Sequence, residues 1–185
     1  MKKLTIALAV VAMAAFANAA SFDWKTAKSG GAVYGPSTGS VLDGGTAYLF
    51  LASSAESILN DWVGGKALAE MTYLDSNTLS SAGKIANKTP FDSSEDPLNA
   101  IFATVVKIDG KDYLYISTVA SADAVDNGSA TLQFKETAAS SGSILDAANG
   151  YKGAGWYSTA AVPEPTGAML LVLGVAALAL RRKQK

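Results

Sequence analysis

The sequence predicts a mainly β fold, a single antiparallel, sandwich-like domain carrying one or two short helices. Three observations point there. Between Ala100 and Val119 two apolar runs flank Asp109-Gly110, a dipeptide suited to the two-residue type I′ turn of a β-hairpin. That hairpin is apolar on both faces, so it belongs in the middle of a sheet that is covered on each side, by a second sheet or by a helix laid across it. The chain also has no cysteine, so cohesion must come from apolar burial and backbone pairing.

Taken in chain order, the first element is an address. Lys2 and Lys3 precede an uncharged stretch from Leu4 to Phe16, and Ala17-Asn18-Ala19 puts small residues at the two positions a signal peptidase reads. Residues 1–19 are therefore expected to be a signal peptide, cut after Ala19. The passenger domain is expected over residues 20–161, the usual size of one domain. Strands are expected at Gly31–Tyr34, Thr46–Leu51, Ala130–Lys135 and Trp156–Ala161. Ser53 with Glu56 three residues on has capping-box spacing, Ile58, Leu59 and Trp62 share one helical face, and Gly64-Gly65 stops the turn; a helix over 54–62 follows. Lys66–Leu74 fits neither period. Residues 75–99, rich in Ser, Asn, Thr and Asp, read as a long loop.

Within the hairpin the turn fixes the register: Ile108 opposite Lys111, Lys107 opposite Asp112, Val106 opposite Tyr113 and Val105 opposite Leu114. One face then carries Phe102, Thr104, Val106, Tyr113 and Tyr115. The other carries Ile101, Ala103, Val105, Leu114 and Ile116.

The last 24 residues are a second address. Pro163, Glu164 and Pro165 are followed by an apolar run over 166–180 and a basic tail over 181–185 that includes Arg181, Arg182 and Lys183. The prolines block any helix arriving from the domain, so a helix starts after them. Its 15 residues reach about 22 Å, short of the ~30 Å hydrocarbon core. Such a segment suits a transient stop better than a permanent anchor, with the basic tail left in the cytoplasm by the positive-inside rule. Val162-Pro163-Glu164-Pro165, Leu170-Leu171-Val172-Leu173-Gly174 and Leu178-Ala179-Leu180-Arg181-Arg182-Lys183 together resemble the PEP-CTERM sorting signal of exported proteins in Gram-negative bacteria. The resemblance implies recognition by an exosortase, a membrane-embedded processing protease, with cutting near Pro163–Pro165 and delivery to the cell surface or beyond. It covers the tail alone and implies a destination, not an activity. An ordinary tail anchor is the plain alternative.

Both addresses are basic, and they mask the passenger's charge. Between them lie nine Lys and no Arg against 15 Asp and Glu, a net charge of −6. An acidic domain without a basic run repels phosphate backbones, so nucleic-acid binding is not expected. No histidine occurs, which removes the commonest general base, the usual catalytic triad and the usual zinc or copper ligands.

What chemistry remains is sparse. Asp92, Glu95 and Asp96 share one polar stretch and Asp123 and Asp126 another, without the alternating oxygens of a calcium loop. Ser117, Ser121 and Lys107 are the residue types of a Ser–Lys pair with no supporting motif, and Gly30-Gly31 and Gly44-Gly45 read as turns. Neither a catalytic residue nor a cofactor or metal site is expected. Aromatic residues near predicted loops (Trp24, Tyr34, Trp62, Tyr73, Tyr151, Trp156, Tyr157) are the binding candidates, because flat rings stack on sugars. Tyr151, Trp156 and Tyr157 form the densest group, bracketed by Gly150, Gly153 and Gly155. The expectation is a non-enzymatic surface or extracellular-matrix protein; the alternatives are a carbohydrate-binding module acting on secreted polysaccharide and a carboxylate-based hydrolase.

Overall fold

In the computed structural model, residues 19–27, 31–36, 40–86, 89–136 and 144–159 are described. The hairpin is the organising element. Asp109 and Gly110 both take positive φ, 51° and 77°, as a type I′ turn requires. They join Leu98–Ile108 to Lys111–Ile116 in the register read from the sequence, from Ile108 opposite Lys111 through Val105 opposite Leu114. Lys107 and Asp112 meet at 3.7 Å on the exposed rim.

In chain order the strands are β1 (Ala20–Thr26), β2 (Thr46–Leu51), β3 (Asp75–Thr78), β4 (Phe91–Ser93), β5 (Leu98–Ile108), β6 (Lys111–Ile116), β7 (Ala120–Ala122), β8 (Ser129–Phe134), β9 (Ile144–Asp146) and β10 (Gly155–Ser158). One short α-helix, α1 (Ala55–Val63), follows β2. The fold is mainly β, in two sheets. The small sheet runs β4-β1-β8; the large one runs β3-β2-β5-β6-β10-β9, with β7 continuing the β6 side of β5. Pairing is antiparallel except for β1 with β8 and β9 with β10, which run parallel. Where β6 gives way to β7, Ser117 holds the ladder closed. Its N–H donates to the Phe102 carbonyl at 2.9 Å, and its hydroxyl accepts from the Phe102 N–H at 2.8 Å.

Strand alternation sends the two apolar faces of the hairpin to different partners. Phe102 and Tyr115, with Leu49 and Trp156, meet Phe22, Trp24, Leu132 and Phe134 of the small sheet in one buried cluster. The rings interlock edge to face, Phe102 on Phe134 at 5.0 Å and 89°, and Trp24 on Phe134 at 6.1 Å and 83°. Ile101, Ala103, Leu114 and Ile116 instead meet Ile58 and Leu59 of α1, with Phe50 and Tyr157, in a second cluster. The sheet is thus covered by a second sheet on one side and by a helix on the other. Full burial of one such side chain stabilises by about 1.5–3 kcal/mol, so both clusters are needed to hold so small a domain.

A charged side chain lies inside this frame. Glu136, just past β8, is completely buried. Its carboxylate accepts from the Tyr115 hydroxyl, from the Thr118 N–H at 3.1 Å and from the Thr118 hydroxyl at 2.8 Å. It thereby ties the end of the small sheet to the β6–β7 turn of the large one. Trp24 makes a second tie, donating its indole N–H to Asp75 at 2.7 Å.

Several expectations are corrected. Residues 75–99 are not a long loop: β3 pairs with β2, β4 with β1, and Leu79 and Ile85 are buried. Their polar side chains suit edge strands, which one neighbour suffices to hold. Gly31–Tyr34 forms no strand, only the bridge from Tyr34 to Val41. The Ser53–Glu56 capping box is absent, because the turn Ala52–Ser54 makes Ser54 the N-cap and Glu56 accepts from the Tyr151 N–H, at 3.2 Å, instead. Among the described residues no helix is long and apolar enough to cross a membrane. The apolar span 166–180 lies outside them.

Candidate functional site

Trp156 and Tyr157, expected as parts of a stacking platform, lie on β10 between β6 and β9 and are completely buried. Their rings face opposite ways. Trp156 joins the inter-sheet cluster, 5.0 Å from Tyr115, and donates its indole N–H to the Tyr34 carbonyl at 2.8 Å. Tyr157 joins the helix-side cluster and donates its hydroxyl to the Gly153 carbonyl at 2.6 Å. Tyr151, partly exposed, stacks on Tyr157 at 6.1 Å. Burial pushes the Tyr157 hydroxyl above its ordinary pKa, helped by Tyr151 and Glu56 nearby and opposed by the Lys152 N–H it accepts; burial also raises Tyr151. A platform needs exposed ring faces, and Trp156 and Tyr157 offer none; they are core residues.

The other sequence candidates scatter. Ser117 is buried in the β5 ladder, whereas Lys107 sits at the far, exposed end of the same strand and pairs with Asp112. The two acidic stretches do approach one another. Glu95, Asp96 and Asp126 line one hollow with Asn127 and with Ala19 and Ala20, and Asp96 accepts from the Ala124 N–H at 3.0 Å. Among the described residues no group of three or more acidic side chains is arranged to hold a metal ion. Ala17, Pro163, Glu164, Pro165, Arg181, Arg182 and Lys183 lie outside the described residues.

A different place has the shape of a binding site. Beside the C-terminal end of α1, the helix-side face of the β5–β6 hairpin is partly open to solvent at Val105. The result is a cleft of about 430 Å³ lined by Trp62, Val63, Gly65, Lys66, Ala67, Leu68, Val105, Asp112 and Thr159. Its wall is made by the way the helix stops. Gly65, at φ 90°, donates to the Trp62 carbonyl at 2.9 Å while Lys66 donates to the Asp61 carbonyl at 3.0 Å, a Schellman ending that turns the chain across the sheet. Trp62 and Val105 are partly exposed and pack against the helix-side cluster from the cleft. At the rim Lys66 pairs with Asp61 at 3.1 Å and Asp112 with Lys107. An apolar floor with a few polar groups around it is the pattern of small-ligand sites, and the volume sits within their ~300–1,000 Å³ range.

Trp62 was one aromatic candidate among several, and the sequence had no means of grouping it with Val105, Asp112 and Thr159. The Gly64-Gly65 stop signal was the one local clue, since it says that the helix ends there. No family model, no curated protein and no solved structure matches this chain.

Proposed function

We propose that this is an exported, non-enzymatic protein of the cell surface or extracellular matrix of a Gram-negative bacterium. It enters by a signal peptide over 1–19, recognised by signal peptidase, and carries a disposable sorting segment over 162–185. The observation that carries the reading is the combination in the tail: Pro163-Glu164-Pro165, a span too short to sit comfortably in lipid, and a terminal Arg-Arg-Lys cluster. The membrane is then a transient partner and an exosortase-like protease the processing one. Also in support, β1 starts at Ala20 and β10 ends at Ser158, so both sheets fit between the two processing points.

The test is the intact mass of the protein from each cell fraction. The expected species starts at Ala20 and stops near Pro163–Pro165. A start at Met1 contradicts export, and a full-length C-terminus in the membrane fraction contradicts processing. A second reading, binding of secreted exopolysaccharide, is favoured by one observation, the part-exposed Trp62 in a cleft with polar groups at its rim.

A further inference from the structure

We propose that the cleft at the end of α1 binds a neutral saccharide, with the Trp62 indole as the stacking surface and Lys66, Asp112 and Thr159 as partners for hydroxyl groups. The inference deepens the second reading above and does not depend on how the chain is exported. A pyranose ring is amphiphilic: its faces present C–H groups and its perimeter hydroxyls. The cleft has the matching layout, with Trp62, Val63 and Val105 as apolar surface and Lys66, Asp112 and Thr159 beside them.

Charge decides between ligand classes. Lys66 is matched by Asp61 and Asp112 by Lys107, so both cleft charges are already neutralised by neighbours. These exposed pairs are individually weak, and it is the domain's net charge of −6 that disfavours a polyanion. A neutral polyol needs only to share the hydrogen-bonding capacity these groups retain at the exposed rim. Pre-organisation helps as well. Trp62 and Val105 lean on the helix-side cluster, and Trp62 sits in the last turn of a helix capped by its Schellman ending, so little ordering cost remains when a ring settles on the indole.

Direct observation is possible because the chain has three tryptophans, of which Trp24 and Trp156 are buried and Trp62 is partly exposed. Collisional quenching by acrylamide therefore reports on Trp62. The full-length chain, held in a sugar-free detergent, is quenched with and without dextran, laminarin, galactomannan and the polyanion alginate. It is also run on native gels cast with each polymer. The expected result is that at least one of the three neutral polymers shields the fluorescence and retards migration, and alginate does neither. Trp62→Ala weakens the retardation by about tenfold, the scale of losing one stacked ring. Val63→Glu, at a half-exposed cleft position that does not challenge the fold, weakens it too.

Shielding by none of the neutral polymers overturns the proposal. So does undiminished retardation of Trp62→Ala and Val63→Glu, and so does alginate shielding as strongly as the best neutral polymer, which would assign the cleft to polyanions. The intact masses of the fractions do not depend on Trp62, so failure of the saccharide site and failure of the export reading are told apart.

Discussion

On the side facing the three-stranded sheet, the large sheet buries Phe102, Tyr115 and Trp156 completely beneath Phe22, Trp24 and Phe134. On the side facing α1, the same strands bury Ile101, Leu114 and Ile116 but leave Val105 partly open to solvent, beside the partly exposed Trp62 of α1. One face is sealed at its centre by interlocking rings, with Val106 and Tyr113 partly exposed towards the hairpin turn; the other is covered by a nine-residue helix. Stability and accessibility are thus divided between the two faces of one sheet. The sealed face holds the domain together, and the short helix leaves room for a ligand.

The comparison breaks most readily by truncating one residue on each face. Phe102→Ala is expected to cost about 3–5 kcal/mol, because the void lies among rings locked by neighbours from two sheets. Leu59→Ala, equally buried but on the helix side, is expected near the lower end of ~2–5 kcal/mol, because a short helix beside an open cleft can settle into the space. Denaturant unfolding of both variants measures the difference. Equal losses would mean that the two faces are equally rigid.

A smaller effect sharpens the account of the sealed side. Glu136→Leu leaves the Tyr115 hydroxyl and both Thr118 donors without their acceptor, at an expected cost of about 1–3 kcal/mol, and Glu136→Gln, which keeps an acceptor, costs less. Equal unfolding midpoints for Glu136→Leu and the parent chain would show that the tie contributes nothing.

The smallest effect is confined to alkaline solution. Tyr157 is held above its usual pKa in the folded state, so the folded chain keeps its proton after the unfolded chain has begun to lose it. Its contribution to stability is complete below the ordinary tyrosine value of 10.0 and is lost as pH rises through the folded value. Tyrosinate absorbance should therefore show a late-ionising fraction, shared with Tyr151, that shrinks in Tyr157→Phe. A single titration at the ordinary value in the parent chain would contradict the burial of this ring.

How much of this was legible in the sequence follows from how local each signal is. The hairpin was legible down to its register, because Asp109-Gly110 and the Lys107–Asp112 pair lie within a few residues of each other. The helix was legible from Ile58, Leu59, Trp62 and the glycine stop. Polar edge strands such as β3, Asp-Ser-Asn-Thr, were not; they are held by β2 rather than by their own propensity. The strand of Trp156 and Tyr157 was legible but their burial was not: the bracketing glycines suggested exposed rings, whereas pairing with β6 on one side and β9 on the other makes them core. The cleft was out of reach for a stronger reason. Trp62, Val105 and Thr159 meet only after the helix, the hairpin and the last strand are all in place.

The position of β1 bears on the timing of folding. It is the middle strand of the small sheet, yet its partners lie about seventy residues downstream in β4 and more than a hundred downstream in β8. Contacts so distant in sequence form slowly. Were the chain exported N-terminus first, as proposed above, β1 would wait about seventy residues for β4 and more than a hundred for β8, so the small sheet would close only after most of the passenger had followed.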